Sequence, residues 1–533
     1  MSTESPCNLP FELNEEATKA WLSGLSASNP RESCRVLYAG LQALNSASPD
    51  PGLHLLVLDQ LRQRIFVESE KLEPFFFGKP FPLDDKARKL AKLTALFHAE
   101  LAQGYDAVAR SSGFSETFTS PQRASVLSRA LRSFEIYLYR SALMYETTSS
   151  QTWEKLNRLY RVAEQDNLTA WVDPTEEDEP VSIATIFLRL QIFRLVVPNH
   201  LTQINIQRLH QVLSRFGRLL TWTEGGSEAE ADFVVDLDSS RSPLPCALAG
   251  KSRESSRRFS PRLFLAKLDK LSQPTASKQE RLDGAFVAQL QARLGGALPF
   301  SQDQQKTRNA VLILGLEPIF TAVAQIQLKG SLQPAWSSAP EMELLPLSDH
   351  LGAAPAMDLS KSQGTFIATA AGNRSAQSKP AGDGRIDSLG EHRCRVYPSE
   401  APGFYLLETP KSVLQSGGLI GLNTDNKLIQ IGLVFDYSHG GGKRFGFELL
   451  LGNAEVVRVA CKASPDIAYK ALLDVADKSR SALIIQAMKL RNGEEIVIDR
   501  QGQKLPYRIA KLLESTPEFS HFEIVLEQAQ ESS

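Results

Sequence analysis

Cysteine is scarce and scattered in this chain. Its 533 residues include five, Cys7, Cys34, Cys246, Cys394 and Cys461, and no two of them form a C-x-x-C pair. An odd, dispersed set argues against a disulfide framework and fits the reduced thiols of a cytoplasmic protein. The eight histidines show neither H-x-x-x-H nor H-E-x-x-H spacing, so the sequence offers no zinc ligand set. A G-x-S-x-G elbow and a serine–lysine signature are both missing, and the carboxylates read as solvated helix faces. We therefore expect no catalytic residues, no metal, no cofactor and no enzyme.

Excess charge of either sign is also lacking. A formal net charge of −2 excludes the broad basic surface that a nucleic-acid polymer requires. Long apolar runs are absent, and the most apolar span, Val181 to Pro198, carries Arg189 and Arg194 in its interior. A buried helix accounts for it better than a membrane crossing. The N-terminus, MSTESPCNLPFELNEEATK, has no basic segment followed by an apolar one, so no secretory signal and no membrane insertion are expected.

What is present divides by texture. Residues 1 to 225 read as successive helices. Asn29-Pro30-Arg31-Glu32 is a helix start, and Leu37, Leu41 and Leu44 then share a face. Pro49-Asp50-Pro51-Gly52 breaks the chain before Leu58, Leu61 and Ile65. Ser120-Pro121 opens a further helix with Leu131, Phe134 and Leu138, and Trp153, Leu156 and Tyr160 repeat the spacing. These segments predict an irregular bundle or short solenoid.

Residues 226–300 read as an α/β connector. It has a short strand at Phe233–Leu237, a basic run KSRESSRR, a helix with Leu263, Leu265 and Leu268 on one face, and a helix over Gln279–Leu294. Residues 301–328 supply a strand and a helix. Residues 329–391 are rich in Ser, Ala, Pro and Gly and poor in bulky apolar side chains, which predicts a disordered insertion. From 392 to 533, short Val-, Ile-, Leu- and Phe-rich runs alternate with turn clusters, the pattern of one small antiparallel barrel. A helix is expected within it at Asp466–Ser479, and Gly432 and Gly446 mark close backbone approaches. The fold class is multidomain α + β, with an all-helical N-terminal half and a C-terminal barrel split by an insertion.

The run His439-Gly-Gly-Gly-Lys443-Arg444 lacks the Ser or Thr and the following helix of a phosphate loop, so it reads as a hairpin turn. Arg393 and Arg395 flank Cys394 on the first barrel strand, and Lys306 and Arg308 precede an earlier strand. A guanidinium can fork onto phosphate oxygens and stack on a purine, or simply sit in solvent at a strand end.

The chain resembles the PilZ-domain receptors for cyclic di-GMP, in a long bacterial form with a helical N-terminal half. The helical signs are Trp21-Leu22, Pro82-Leu83 and Glu100 to Tyr105. The barrel signs are Val311 to Leu316, Ser399 with Gly403-Phe404-Tyr405-Leu406, Ile431 to Val434, and Phe445 to Leu450. The resemblance implies a receptor acting through protein partners, bound by the helical half, in surface attachment and type IV pilus behaviour at the cell pole. It also implies ligand motifs R-x-x-x-R and D-x-S-x-x-G. Arg308 stands for the second arginine with Gln304 in place of the first; Ser399 matches the serine, Tyr397 replaces the aspartate, and Gly403 falls one residue late. The expected ligand residues are thus Arg308, Arg393, Arg395, Ser399 and Gly403, on one barrel face. Literal matches at Asp436–Gly441 and Arg253–Arg257 lie at other places in the chain. The competing expectation is a degenerate barrel scaffold that binds protein partners only.

Overall fold

A computed structural model gives the architecture. It describes residues 9–330 and 392–527, apart from connecting segments at 26–29, 80–82, 147, 176–179, 199–200, 224–230, 241, 247–252, 278, 296–307, 399–403, 410–413, 415–417, 425–428, 437–442, 475–480, 487–489, 491, 501 and 517. The expected insertion at 329–391 lies almost wholly outside the described residues.

The helical half forms as its punctuation dictates. Its helices are α1 (Glu15–Ser23), α2 (Pro30–Ala47), α3 (Pro51–Leu72), α4 (Asp85–Ala109), α5 (Phe114–Thr117), α6 (Ser120–Leu143), α7 (Ser150–Gln165), α8 (Ile183–Val196) and α9 (Gln203–Phe216). The break at Pro49–Gly52 is the start of α3: Asp50 Oδ1 accepts from the Gly52 N–H at 2.9 Å and Pro51 occupies the first turn. Asp84, Ser149, Ser182 and Thr202 cap α4, α7, α8 and α9, and Thr119 with Gln122 makes a capping box on α6. The apolar run around residue 190 is α8, buried on nearly all sides. Its Arg189 is 1% exposed, pairs with Glu135 at 2.7 Å and donates to Ser214 Oγ at 3.0 Å. Among the described residues no helix is long and apolar enough to cross a membrane.

The helical core does not stop near residue 225. Strands β1 (Thr221–Trp222), β2 (Phe233–Asp236), β3 (Leu244–Pro245) and β4 (Ser256–Ser260) form an antiparallel sheet in the order β1-β4-β2-β3. An aromatic chain joins it to the helices: Tyr160 stacks on Phe187 at 4.1 Å, Trp222 lies 6.2 Å from Phe187, and Phe259 meets Trp222 edge-on at 5.9 Å. The basic run KSRESSRR leads into β4. Helices α10 (Arg262–Ser272) and α11 (Gly284–Leu294) follow, and one core continues from Phe11 to Leu294. On α10 the buried face is Phe264, Leu268 and Leu271, while Leu263, expected inside, is exposed.

The C-terminal part is antiparallel and barrel-forming, with two closed six-stranded barrels where the sequence suggested one. Barrel 1 comprises β5 (Arg308–Leu314), β6 (His392–Pro398), β7 (Phe404–Thr409), β8 (Leu419–Asn423), β9 (Ile429–Asp436) and β10 (Lys443–Leu451). Barrel 2 comprises β11 (Ala454–Cys461), β12 (Ser464–Asp474), β13 (Ser481–Gln486), β14 (Glu495–Arg500), β15 (Gln503–Ser515) and β16 (Phe519–Leu526). Between β5 and β6 in sequence, α12 (Leu316–Gly330) packs against both barrels. The expected helix from Asp466 is instead strand β12. Ala471 and Leu473 point into barrel 2 while Leu472 points out towards α12, and this two-sided burial overrides the helical propensity of Ala-Tyr-Lys-Ala-Leu-Leu. Gly432 fits its expected role, since a Cβ there would lie 2.1 Å from the Glu448 carbonyl oxygen.

A fragment ending at residue 225 severs the β1–β4 pairing and strips Phe259 from Trp222, the ring that covers Tyr160 and Phe187. We expect residues 1–225 to melt with weak cooperativity and residues 1–295 to give a sharp helical transition by circular dichroism. Equal melting of both fragments would place the unit boundary where the sequence put it.

Candidate functional site

The register of barrel 1 decides where the predicted ligand residues go. Arg308 pairs with Val396, Asn309 with Arg395, and Val311 with Arg393. Ala310, Leu312, Cys394 and Val396 are buried inside the barrel. Because side chains alternate along a strand, Arg308 belongs to the inward-facing set and stands exposed at the barrel mouth. Arg393 and Arg395 belong to the outward-facing set and are exposed on the wall. The expectation of a single face is corrected: Arg308 and Arg395 share one end of the β5–β6 ladder but project from opposite sides of it. Ser399 and Gly403 fall between β6 and β7 in sequence and lie outside the described residues.

On the outer wall Arg395 is registered opposite Glu408, whose Oε2 accepts from the Tyr397 hydroxyl at 2.9 Å. Burial together with Glu408 raises the Tyr397 pKa, so the phenol stays a donor. Cys394 faces the interior, and burial pushes its thiol up to about 12, which leaves it inert.

The literal R-x-x-x-R match is engaged in ion pairs. Arg253 pairs with Asp236 at 3.2 Å, and Arg257 makes a two-pronged pair with Glu164 at 2.9 and 3.0 Å. Asp436 ends β9 opposite Phe445, and residues 437–442 lie outside the described set.

A second place was not foreseen. Where the helical unit meets both barrels, a cleft of about 650 Å³ opens. Arg293 of α11 forms its seam. One nitrogen donates to the Val196 carbonyl at the end of α8 at 2.5 Å, and another to Glu448 Oε2 on β10 at 3.2 Å. Glu514 on β15 and His521 on β16 are cross-strand partners, 4% and 6% exposed. Burial pushes the Glu514 carboxyl well above its ordinary range, with Arg293 pulling down and Glu448 adding to the rise. Burial lowers His521 to about 4. Burial thus disfavours the charged form of each group. No local signal announces them: Glu514 reads in sequence as one more polar position beside a turn, and its burial comes from packing of distant elements.

Two comparisons follow from this architecture. Residues 16–227 match the family described as "Cyclic-di-GMP receptor FimW, N-terminal domain", so the helical part of the chain is similar to that domain. Over its length the chain is similar to a particular protein, Cyclic-di-GMP receptor FimW of Pseudomonas aeruginosa. The two are 24% identical over 567 residues, covering 98% of this chain and 92% of that one. The similarity thus runs through both the helical and the barrel parts of the chain. That relative is named as a receptor, in agreement with the non-enzymatic reading of the sequence. No solved structure matches the chain.

The buried titratable groups set a pH dependence. Burial lowers His54 and His521 to about 4 and His98 to about 3, from 6.5. For these the unfolded chain takes up protons that the folded one resists, so stability is lost as pH falls from 6.5 towards 4. Glu514 has the opposite sign: its folded pKa is raised, so stability is lost as pH climbs above 4.5 through the raised value. Melting temperatures across pH should show Glu514→Gln with a flatter neutral limb than the parent, and His521→Gln with a flatter acid limb. A neutral limb unchanged by Glu514→Gln would mean that this carboxyl is not held protonated.

Proposed function

We propose that the chain is a non-enzymatic cyclic di-GMP receptor of the PilZ type. It couples the level of that second messenger to surface attachment or pilus-dependent behaviour through protein partners. The observation that carries the reading is the end-to-end similarity to a protein named as a cyclic-di-GMP receptor, anchored by a helical part similar to that receptor's N-terminal domain. In this reading the protein is cytoplasmic and recruited to the cell pole, and the helical half binds the partner.

The proposed ligand contacts are Arg308, Arg393, Arg395, Ser399 and Gly403. A cyclic dinucleotide presents two phosphates and two purine faces, so it asks for forked guanidinium groups and a stacking surface. The geometry supports a ligand that folds over the end of the β5–β6 ladder, meeting Arg308 at the mouth and Arg395 on the wall. Binding there would alter how barrel 1 docks on its neighbours.

A specific observation favours the scaffold reading. Glu408 stands opposite Arg395 in the ladder, so the carboxylate competes with phosphate for that guanidinium, and Arg308 lies on the other side of the strand. Calorimetric titration of the full chain with cyclic di-GMP separates the two. We expect saturable binding that weakens at least about tenfold in Arg308→Ala and in Arg395→Ala, since a charge-assisted contact contributes roughly 1.5–3 kcal/mol. Arg253→Ala and Asp436→Ala should bind as the parent does. Absence of any binding by the parent would leave the protein-binding scaffold as the correct reading.

A further inference from the structure

We propose that the cleft between the helical unit and the two barrels is a second small-molecule site, built for a nucleotide and independent of the β5–β6 arginines. The volume, about 650 Å³, is that of a small-ligand pocket and not of a packing defect. Its polar groups are divided by position. At the inner end, on the barrel 2 wall, stand Glu514 and His521. Glu514 Oε1 and His521 Nε2 are buried and have no hydrogen-bond partner. Leaving such atoms unpaired is costly, and native folds tolerate it mainly where a ligand or water completes the bond.

In the protonated form that burial favours, the Glu514 carboxyl offers an O–H donor and a carbonyl acceptor side by side. That pair complements a heterocyclic edge on which a donor and an acceptor are adjacent, as on a nucleobase. His521 as a neutral imidazole adds one further donor or acceptor.

At the outer end the cleft is lined by cations of the helical unit. Arg208 on α9 donates to Asn205 at 3.1 Å, and neither it nor Lys79 has an acidic partner among the described residues. The carboxylates nearby are engaged: Asp283 lies 3.8 Å from Lys511, and Glu448 holds Arg293. The outer cleft is therefore net positive, which suits a phosphate, while the inner end suits a base. A ligand with both ends seated would touch the helical unit through Arg208 and barrel 2 through Glu514, tying the two together beside the Arg293–Glu448 seam. A ligand that binds only this closed arrangement shifts the population towards it.

Calorimetric titration of the full chain with GMP, AMP and cyclic di-GMP in turn tests the site and separates its possible sources. We expect at least one of them to bind, and to be weakened at least about tenfold by Arg208→Ala and by Glu514→Leu. Glu514→Gln keeps an adjacent donor and acceptor and should hold the same nucleotide within about threefold of the parent. The double variant Arg308→Ala/Arg395→Ala should retain this binding event. Failure of all three nucleotides to bind overturns the site, as does binding that ignores Arg208→Ala, a substitution at a partly exposed position that leaves the core untouched. If cyclic di-GMP binds and is lost only in the β5–β6 variants, the cleft site is overturned and the receptor reading stands. If GMP or AMP binds in the cleft and cyclic di-GMP binds nowhere, the cleft site stands and the receptor reading falls.

Discussion

The C-terminal half depends on burying apolar side chains on the outside of two barrels. A small closed barrel satisfies its backbone within itself and needs apolar residues only inside. Here Leu419, Ile431, Leu433 and Leu451 face outward from barrel 1, and Leu472, Ile484 and Phe519 from barrel 2. Left in water they would form a patch far more apolar than a monomeric surface tolerates. Ile319, Phe320 and Val323 of α12 cover them, each such burial contributing about 1.5–3 kcal/mol. Gln327 adds direction: its Oε1 accepts from the Val456 N–H at 3.1 Å and fixes the helix on β11. The helix is thus the joint that makes one body of the two barrels, whose chain link is only Gly452-Asn453.

The joint to the helical unit is electrostatic in character. Arg293 is nearly buried and sits between the carbonyl end of α8 and the carboxylate of Glu448. A charge in that position is strongly held while both partners remain, and costly if either leaves. The contact is therefore well suited to a seam with two states. Around it lie the unpaired polar atoms of Glu514 and His521 and the cations of the helical unit, so the place where domains meet is also where unsatisfied chemistry collects.

Much of the helical half could be read in the sequence because its signals are local. A proline after an aspartate, a serine before a helical stretch and leucines at helical spacing each act within a turn or two, and the helices start where those residues direct. The barrels were harder. Alternation announced strands, but the number of barrels depends on which strands pair, and no short-range pattern reports that. The helix expected after Asp466 failed because Ala471, Leu472 and Leu473 are buried on both faces of a strand, a tertiary fact that mimics an apolar helix in one dimension. Arg308, Arg393 and Arg395 were expected on one barrel face, but their faces follow from a register between β5 and β6, roughly eighty residues apart in the chain. Glu514 and His521 gave no signal at all, because their burial is supplied by helices more than two hundred residues upstream.

Hydrogen–deuterium exchange of the full chain, with and without cyclic di-GMP, tests the central claim most directly: that the nucleotide is received by the barrels and sensed at their junction with the helices. The account predicts slower exchange in β5, β6 and β7 on binding, together with a change at the β15–β16 wall of the junction. Protection confined to the helical unit, with both barrels exchanging as before, would contradict it.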